Sequence, residues 1–202
     1  LVEALMLPAN AISAVTEFAP YLAPDASDVD LAESLEEGGA AINDATQGRQ
    51  VQDWRAWIVG GTSVRCAPLP DLLPETELFV GANITAVSLA WDSSMAPTVA
   101  YIDEGVLKLR WYNSLTELFQ TDDYIGANSG KVATDDKRRS IEGSSDVIFA
   151  YTLDGILYWR QERDRYLVEY EVGVAGPRGD QVLQRIGMTA INRFQFELVD
   201  PE

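Results

Sequence analysis

The chain contains no histidine and one cysteine, Cys66, in 202 residues. Losing histidine removes the commonest general base, the Ser-His-Asp and Cys-His arrangements, and the usual ligands of catalytic zinc. One cysteine rules out an intrachain disulfide and a thiolate zinc cluster. Arg65 adjoins Cys66, but neighbours along a strand point to opposite faces, so the thiol reads as a small buried hydrophobe. Basic residues are also scarce. Fifteen Lys and Arg stand against 32 Asp and Glu, for a net charge of −17. That balance argues against direct nucleic-acid binding, which gains affinity by neutralising phosphates, and against an anionic membrane surface. No apolar run approaches the ~20 residues of a membrane span, and the first twenty residues lack the positive start of a secretory signal, so the sequence reads as soluble. No Gly-rich phosphate loop sits between a strand and a helix, and no motif calls for a cofactor.

What is present is enough apolar residue to build a core, 47% of the chain with 23% charged. Residues 1–50 read as an N-terminal arm with a short helix and a linker. The arm is interrupted by Pro8, Pro20 and Pro24, each of which lacks an amide donor and disfavours helix before it. Its apolar residues, Leu5, Leu7, Phe18 and Tyr21 among them, read either as lying on this domain or a neighbouring copy or as part of a poorly ordered terminus. A helix is expected over Asp28–Glu37, with Ser27 as N-cap and Gly38-Gly39 as the stop, followed by a small, polar linker over 40–50.

From residue 51 to 202 the pattern is that of an antiparallel β-domain. Gly60-Gly61, Glu104-Gly105 and Asp154-Gly155 mark hairpin turns. A further strand is expected over Tyr166–Val172 and a last one over Ala190–Val199. Two segments run parallel at a constant offset: Val99-Ala100-Tyr101 with Gly105 and Leu109-Arg110, and Phe149-Ala150-Tyr151 with Gly155 and Trp159-Arg160. The repeat defines two units, about 84–130 and 131–180. The fold expected is mainly β, an antiparallel sandwich or barrel or a set of propeller-blade-like hairpins. Two such units fall short of the four or more that close a propeller ring.

Chemistry without histidine narrows to carboxylates, and Asp92, Asp135, Asp136, Glu142, Asp146, Glu162 and Asp164 are available for a glycosidase pair. Asp92 and Asp135 stand at strand ends, where Asx residues cap turns. The Asp25, Asp28 and Asp30 cluster and Thr121-Asp122-Asp123 do not match a calcium loop and read as caps and solvated turns. No catalytic, cofactor or metal residue is assigned. Arg160, Arg163 and Arg165, with Arg138 and Arg139, read either as a solvated hairpin end or as the cations that meet acidic surface on another copy. Strand alternation would put Arg163 and Arg165 on one face and Glu162 and Asp164 on the other. Trp111, Tyr112 and Tyr158 are the aromatic candidates for ligand stacking.

The segments Leu89–Asp92, Ser144–Tyr151, Leu157–Tyr166, Gln184–Met188 and Asn192–Phe196 resemble small β-rich structural proteins of tailed-bacteriophage virions, from the tail, neck or tail-tip region. The resemblance covers about residues 80–200. It implies a non-enzymatic virion component assembled in the host cytoplasm, with other copies of itself and other virion structural proteins as partners. A receptor- or carbohydrate-binding module of a virion is the alternative reading, and a carboxylate-based glycoside hydrolase the third.

Overall fold

The computed structural model describes residues 37–43, 50–68, 75–92, 96–135, 146–188 and 194–201. Their architecture is mainly β and antiparallel, as the alternating pattern leads one to expect. Fourteen strands are described. The first sheet comprises β1 (Glu37–Asn43), β2 (Gln50–Val59), β3 (Ser63–Pro68) and β4 (Thr76–Val80). The second comprises β5 (Ile84–Trp91), β6 (Pro97–Asp103), β7 (Val106–Asn113) and β8 (Leu118–Tyr124). The third comprises β9 (Ser129–Asp135), β10 (Asp146–Leu153), β11 (Ile156–Gln161) and β12 (Tyr170–Val174), and β13 (Val182–Met188) with β14 (Phe194–Val199) makes a two-stranded fourth. Each sheet is an open up-and-down meander in sequence order rather than part of a closed barrel.

Tight turns account for the meander. Glu104-Gly105 and Asp154-Gly155 adopt the same left-handed pair, φ 52° and 78° in one and 50° and 77° in the other. This geometry matches the twist of a two-residue hairpin. It brings Tyr101 opposite Lys108 and Tyr151 opposite Tyr158.

The sheets stack face to face, each against the next. The first and second enclose Ala56, Ile58, Val64, Cys66, Val87, Leu89 and Val99. The second and third enclose Leu107, Leu109, Trp111, Val132, Phe149, Tyr151 and Tyr166. The third and fourth enclose Ala133, Ala150, Leu157, Leu183 and Ile186. Sandwiching explains why the second strands β6 and β10 are buried on both faces along most of their length, whereas β7, one strand further out, alternates. Fully burying one of these large side chains contributes roughly 1.5–3 kcal/mol.

The first strands of successive sheets lie side by side, β1 by β5, β5 by β9 and β9 by β13. The fourth strands make no comparable contact with one another, so the sheets fan outward like blades. Hydroxyls stitch the inner strands together. Ser88 Oγ accepts from the Val132 amide at 3.0 Å, Thr134 Oγ1 donates to the Trp91 carbonyl at 3.0 Å, and Ser129 Oγ accepts from the Leu183 amide at 2.8 Å. An edge strand leaves backbone groups unpaired, and these side chains supply partners.

Some expectations need correction. Of the helix expected over Asp28–Glu37, residues 28–36 lie outside the described residues, and Glu37 opens β1. Gly38 and Gly39 sit within that strand, opposite Arg55 and Trp54. The linker read over 40–50 is strand at Ala40–Asn43 and again from Gln50, because pairing with β2 outweighs a small, polar composition. The strand expected from Tyr166 starts at Tyr170. Residues Glu162–Asp164 form a 3₁₀ turn, and Arg165 and Tyr166 follow with φ of 57° and 58°, so the strand alternation proposed for Arg163 and Arg165 does not exist.

Candidate functional site

Hairpin register places Arg110 opposite Val99 on β7 and Arg160 opposite Phe149 on β11, equivalent positions in the second and third sheets. Each guanidinium reaches back over an aromatic ring on the fourth strand of the preceding sheet. Arg110 lies 5.4 Å from the Phe79 centroid on β4, and Arg160 lies 5.4 Å from that of Tyr124 on β8. Guanidinium planes are suited to such stacking.

The two arginines differ in their polar partners. Arg160 Nη2 pairs with Glu169 Oε2 at 2.7 Å, Nη1 donates to the Tyr166 carbonyl at 2.7 Å, and Nε donates to Tyr151 Oη at 3.3 Å. Tyr151 in turn donates to Glu169. Burial acts to lower the Arg160 pKa, but the bonds to Tyr151 and Glu169 outweigh it and hold the guanidinium above its usual value. Glu169 is held below the usual carboxylate range by Tyr151 first and then by Arg160. Burial pushes the Tyr151 hydroxyl up to about 12, so it stays a donor at neutral pH. Arg110 carries a second ring instead, Phe119 on β8 at 4.7 Å, and makes no ion pair or hydrogen bond among the described residues.

On the Arg110 face of the second sheet Thr121 stands opposite Arg110, Phe119 opposite Tyr112 and Asp123 opposite Lys108. Tyr112 meets Phe119 edge-on at 5.5 Å, while Phe119 is 41%, Leu118 65% and Leu115 72% exposed. The third sheet exposes Leu167, Val168, Val172 and Val174 along the corresponding strand and its approach, and β4 exposes Val80. Exposed large apolar residues thus gather on the outer strands and the segments joining them.

At one end of the second and third sheets, Asp92, Asp146 and Glu162 come together. Asp92 caps its own turn, Oδ1 accepting from the Ala96 amide at 2.8 Å. Asp146 accepts from the Arg163 amide at 2.9 Å and from its Nε at 2.5 Å. Glu162 Oε2 accepts from the Val147 amide at 3.1 Å. Burial pushes Glu162 up to about 7, Asp92 and Asp146 add to the shift, and the Val147 bond opposes it. Among the described residues no group of three or more acidic or thiol side chains is arranged to hold a metal ion.

Of the residues singled out from sequence, Leu5, Leu7, Phe18, Tyr21, Arg138 and Arg139 lie outside the described residues, as do Asp136 and Glu142. Arg160 and Arg163 are engaged within the chain, and Arg165 is exposed. Trp111 is not a surface stacking residue. It is 5% exposed, donates from Nε1 to Asp122 at 2.8 Å and meets Tyr166 edge-on at 5.3 Å, because alternation on β7 turns it toward the third sheet. Tyr112 and Tyr158 are half-buried, the latter stacked on Tyr151 at 5.8 Å. Sequence reasoning did not single out Phe79, Phe119, Tyr124 or Glu169. The constant offset linking Arg110 to Arg160 was the available signal, but ring contacts between sheets are not encoded in spacing along one strand. Comparison with known proteins gives no matching family model and no matching curated protein.

Proposed function

We propose that the chain is a non-enzymatic structural subunit of a bacteriophage particle, from the tail, neck or tail-tip region, that works as a symmetric oligomer. The observation that carries the assembly reading is the concentration of exposed apolar side chains on the outer strands: Val80 on β4, Leu118 and Phe119 on β8, Val172 and Val174 on β12. Exposed apolar side chains that recur on the outer strands of successive sheets, with Phe119 packed against Tyr112 on β8, support a contact surface on this strongly charged chain. The resemblance of residues 80–200 to virion proteins supplies the setting.

Sedimentation velocity of the full chain across a wide concentration range tests the oligomer, with closed assemblies expected and a strict monomer fatal to the reading. Labelling the chain in purified particles, viewed by electron microscopy, tests the setting. Label absent from particles would remove the virion assignment.

A hydrolase reading draws on the convergence of Asp92, Asp146 and Glu162, and a Glu near neutrality is the kind of group that acts as a general acid. Yet the first two are buried and serve a turn and Arg163, which favours a structural role. Polysaccharide cleavage by the parent chain, lost in Glu162→Gln, would revive it.

A further inference from the structure

We infer that Arg110 and the free edge of β8 form the docking surface for a second copy of this chain, with an Asp or Glu carboxylate of that copy seated on the Arg110 guanidinium. The inference rests on the oligomer reading above and names its contact.

Three observations carry it. First, the chain contains its own template for the occupied site. Arg160, equivalent to Arg110 in the next sheet, lies over the same kind of ring and receives Glu169 at 2.7 Å. In the second sheet the segment joining the third strand to the fourth is the tight turn Ser114–Glu117, closed by the Thr116 and Glu117 amides on the Asn113 carbonyl. It delivers no carboxylate to Arg110. The third sheet instead uses the longer excursion of residues 162–169, which ends on Glu169.

Second, Arg110 is already fixed in place. Two rings, at 5.4 and 4.7 Å, hold the guanidinium while leaving its donors free for a paired contact with a carboxylate. Less side-chain freedom is lost on binding when a group is already fixed.

Third, the surroundings have the composition of an interface centre. Arg, Tyr and Phe are enriched there; the Arg110 face offers Tyr112 and Phe119, and Leu118 follows along the β8 edge on the opposite face. β8 is also the edge of its sheet, with no further strand paired to it among the described residues, so a strand can add there. The occupant follows from charge. A chain with 32 acidic against 15 basic residues meets copies of itself mostly through repulsion, and an aromatic-braced guanidinium without a carboxylate is where one acidic side chain of the neighbour gains a partner.

The test compares the full chain with Arg110→Gln and with Leu118→Lys, the latter at a mostly exposed position where folding is not at risk. Far-UV circular dichroism and urea midpoints check the fold, and sedimentation measures self-association. Both variants should fold and associate about tenfold or more weakly than the parent, while Arg178→Gln, at an exposed cation outside the site, should not. A photo-reactive residue at position 119, in a mixture of isotopically light and heavy chains, should give light–heavy cross-links to an acidic segment. Unchanged association in both variants, or cross-links confined within one chain, would overturn the docking site while leaving the oligomer reading intact. A parent chain that never associates would overturn both.

Discussion

Ser88 Oγ, on the first strand of the second sheet, accepts the Val132 amide proton from the first strand of the third at 3.0 Å. Ser88 is 1% exposed, so no water stands ready to replace it. Ser88→Ala should lower stability by about 1–3 kcal/mol, the cost of a buried donor left without a partner. Urea denaturation measures it, and a loss below about 0.5 kcal/mol would mean that the amide finds another acceptor.

Gly105 and Gly155 occupy equivalent turns at φ of 78° and 77°, yet their surroundings differ. A Cβ at Gly105 meets nothing within 4 Å, whereas one at Gly155 would stand 2.4 Å from the Gly179 carbonyl oxygen. Gly105→Ala should cost about 1 kcal/mol, from left-handed backbone alone. Gly155→Ala should cost at least about 2 kcal/mol more, since it must push backbone aside. Equal thermal shifts in the two variants would show that the 175–179 turn yields.

Glu162 gives the chain a pH dependence of defined sign. Its folded-state pKa is raised, by burial first, to about 7 from an ordinary value of 4.5, so the native state holds this proton more tightly than the unfolded chain. The stabilisation is complete below about pH 4.5 and disappears as pH rises through about 7. Glu162→Gln should therefore be more stable than the parent at pH 8, by up to about 3 kcal/mol, and the gap should close toward pH 4.5. Urea midpoints of both proteins across that range decide it. Parallel curves would place the proton elsewhere.

Arg55 is fully buried, and none of its three side-chain nitrogens has a hydrogen-bond partner among the described residues. Burial pulls its pKa down to about 10, still leaving it charged at neutral pH. An unpaired buried ion costs several kcal/mol, and apolar replacements of similar volume are often neutral or stabilising. Arg55→Met should raise stability at pH 7 by about 1 kcal/mol or more. A marked loss on calorimetry would reveal a counterion.

The hairpins were legible because glycine pairs and residue–Gly turns announce themselves locally, and Asp154-Gly155 and Gly60-Gly61 turn where sequence placed them. Cys66 likewise sits in the first core at 0% exposure, its thiol pushed up to about 12 by burial. What sequence concealed is set between strands. Trp111 belongs in the interior only because Leu107 and Leu109 share its face, and a two-sided core blurs the contrast that alternation relies on. The 3₁₀ turn before β12 was hidden because Arg163, Asp164 and Arg165 alternate in charge like a solvated strand. Tyr166 leaves that pattern only through two left-handed residues. Of the candidate site, the two arginines at the constant offset, Arg110 and Arg160, were visible, while the rings and Glu169 come from neighbouring elements.

The side-by-side order of the first strands has a consequence for how the molecule comes apart. Among the described residues the second and third sheets are each held by a predecessor and a successor, so stability accumulates along a line, as in repeat proteins, from each sheet's own strength and its coupling to its neighbours. Among the described residues the fourth sheet couples on one side, against the third, and its other face carries the Arg185–Glu197 ion pair at 2.9 Å. Amide exchange should accordingly be fastest in β13 and β14 and slowest in β10, a gradient of protection running from the end of the row toward its middle.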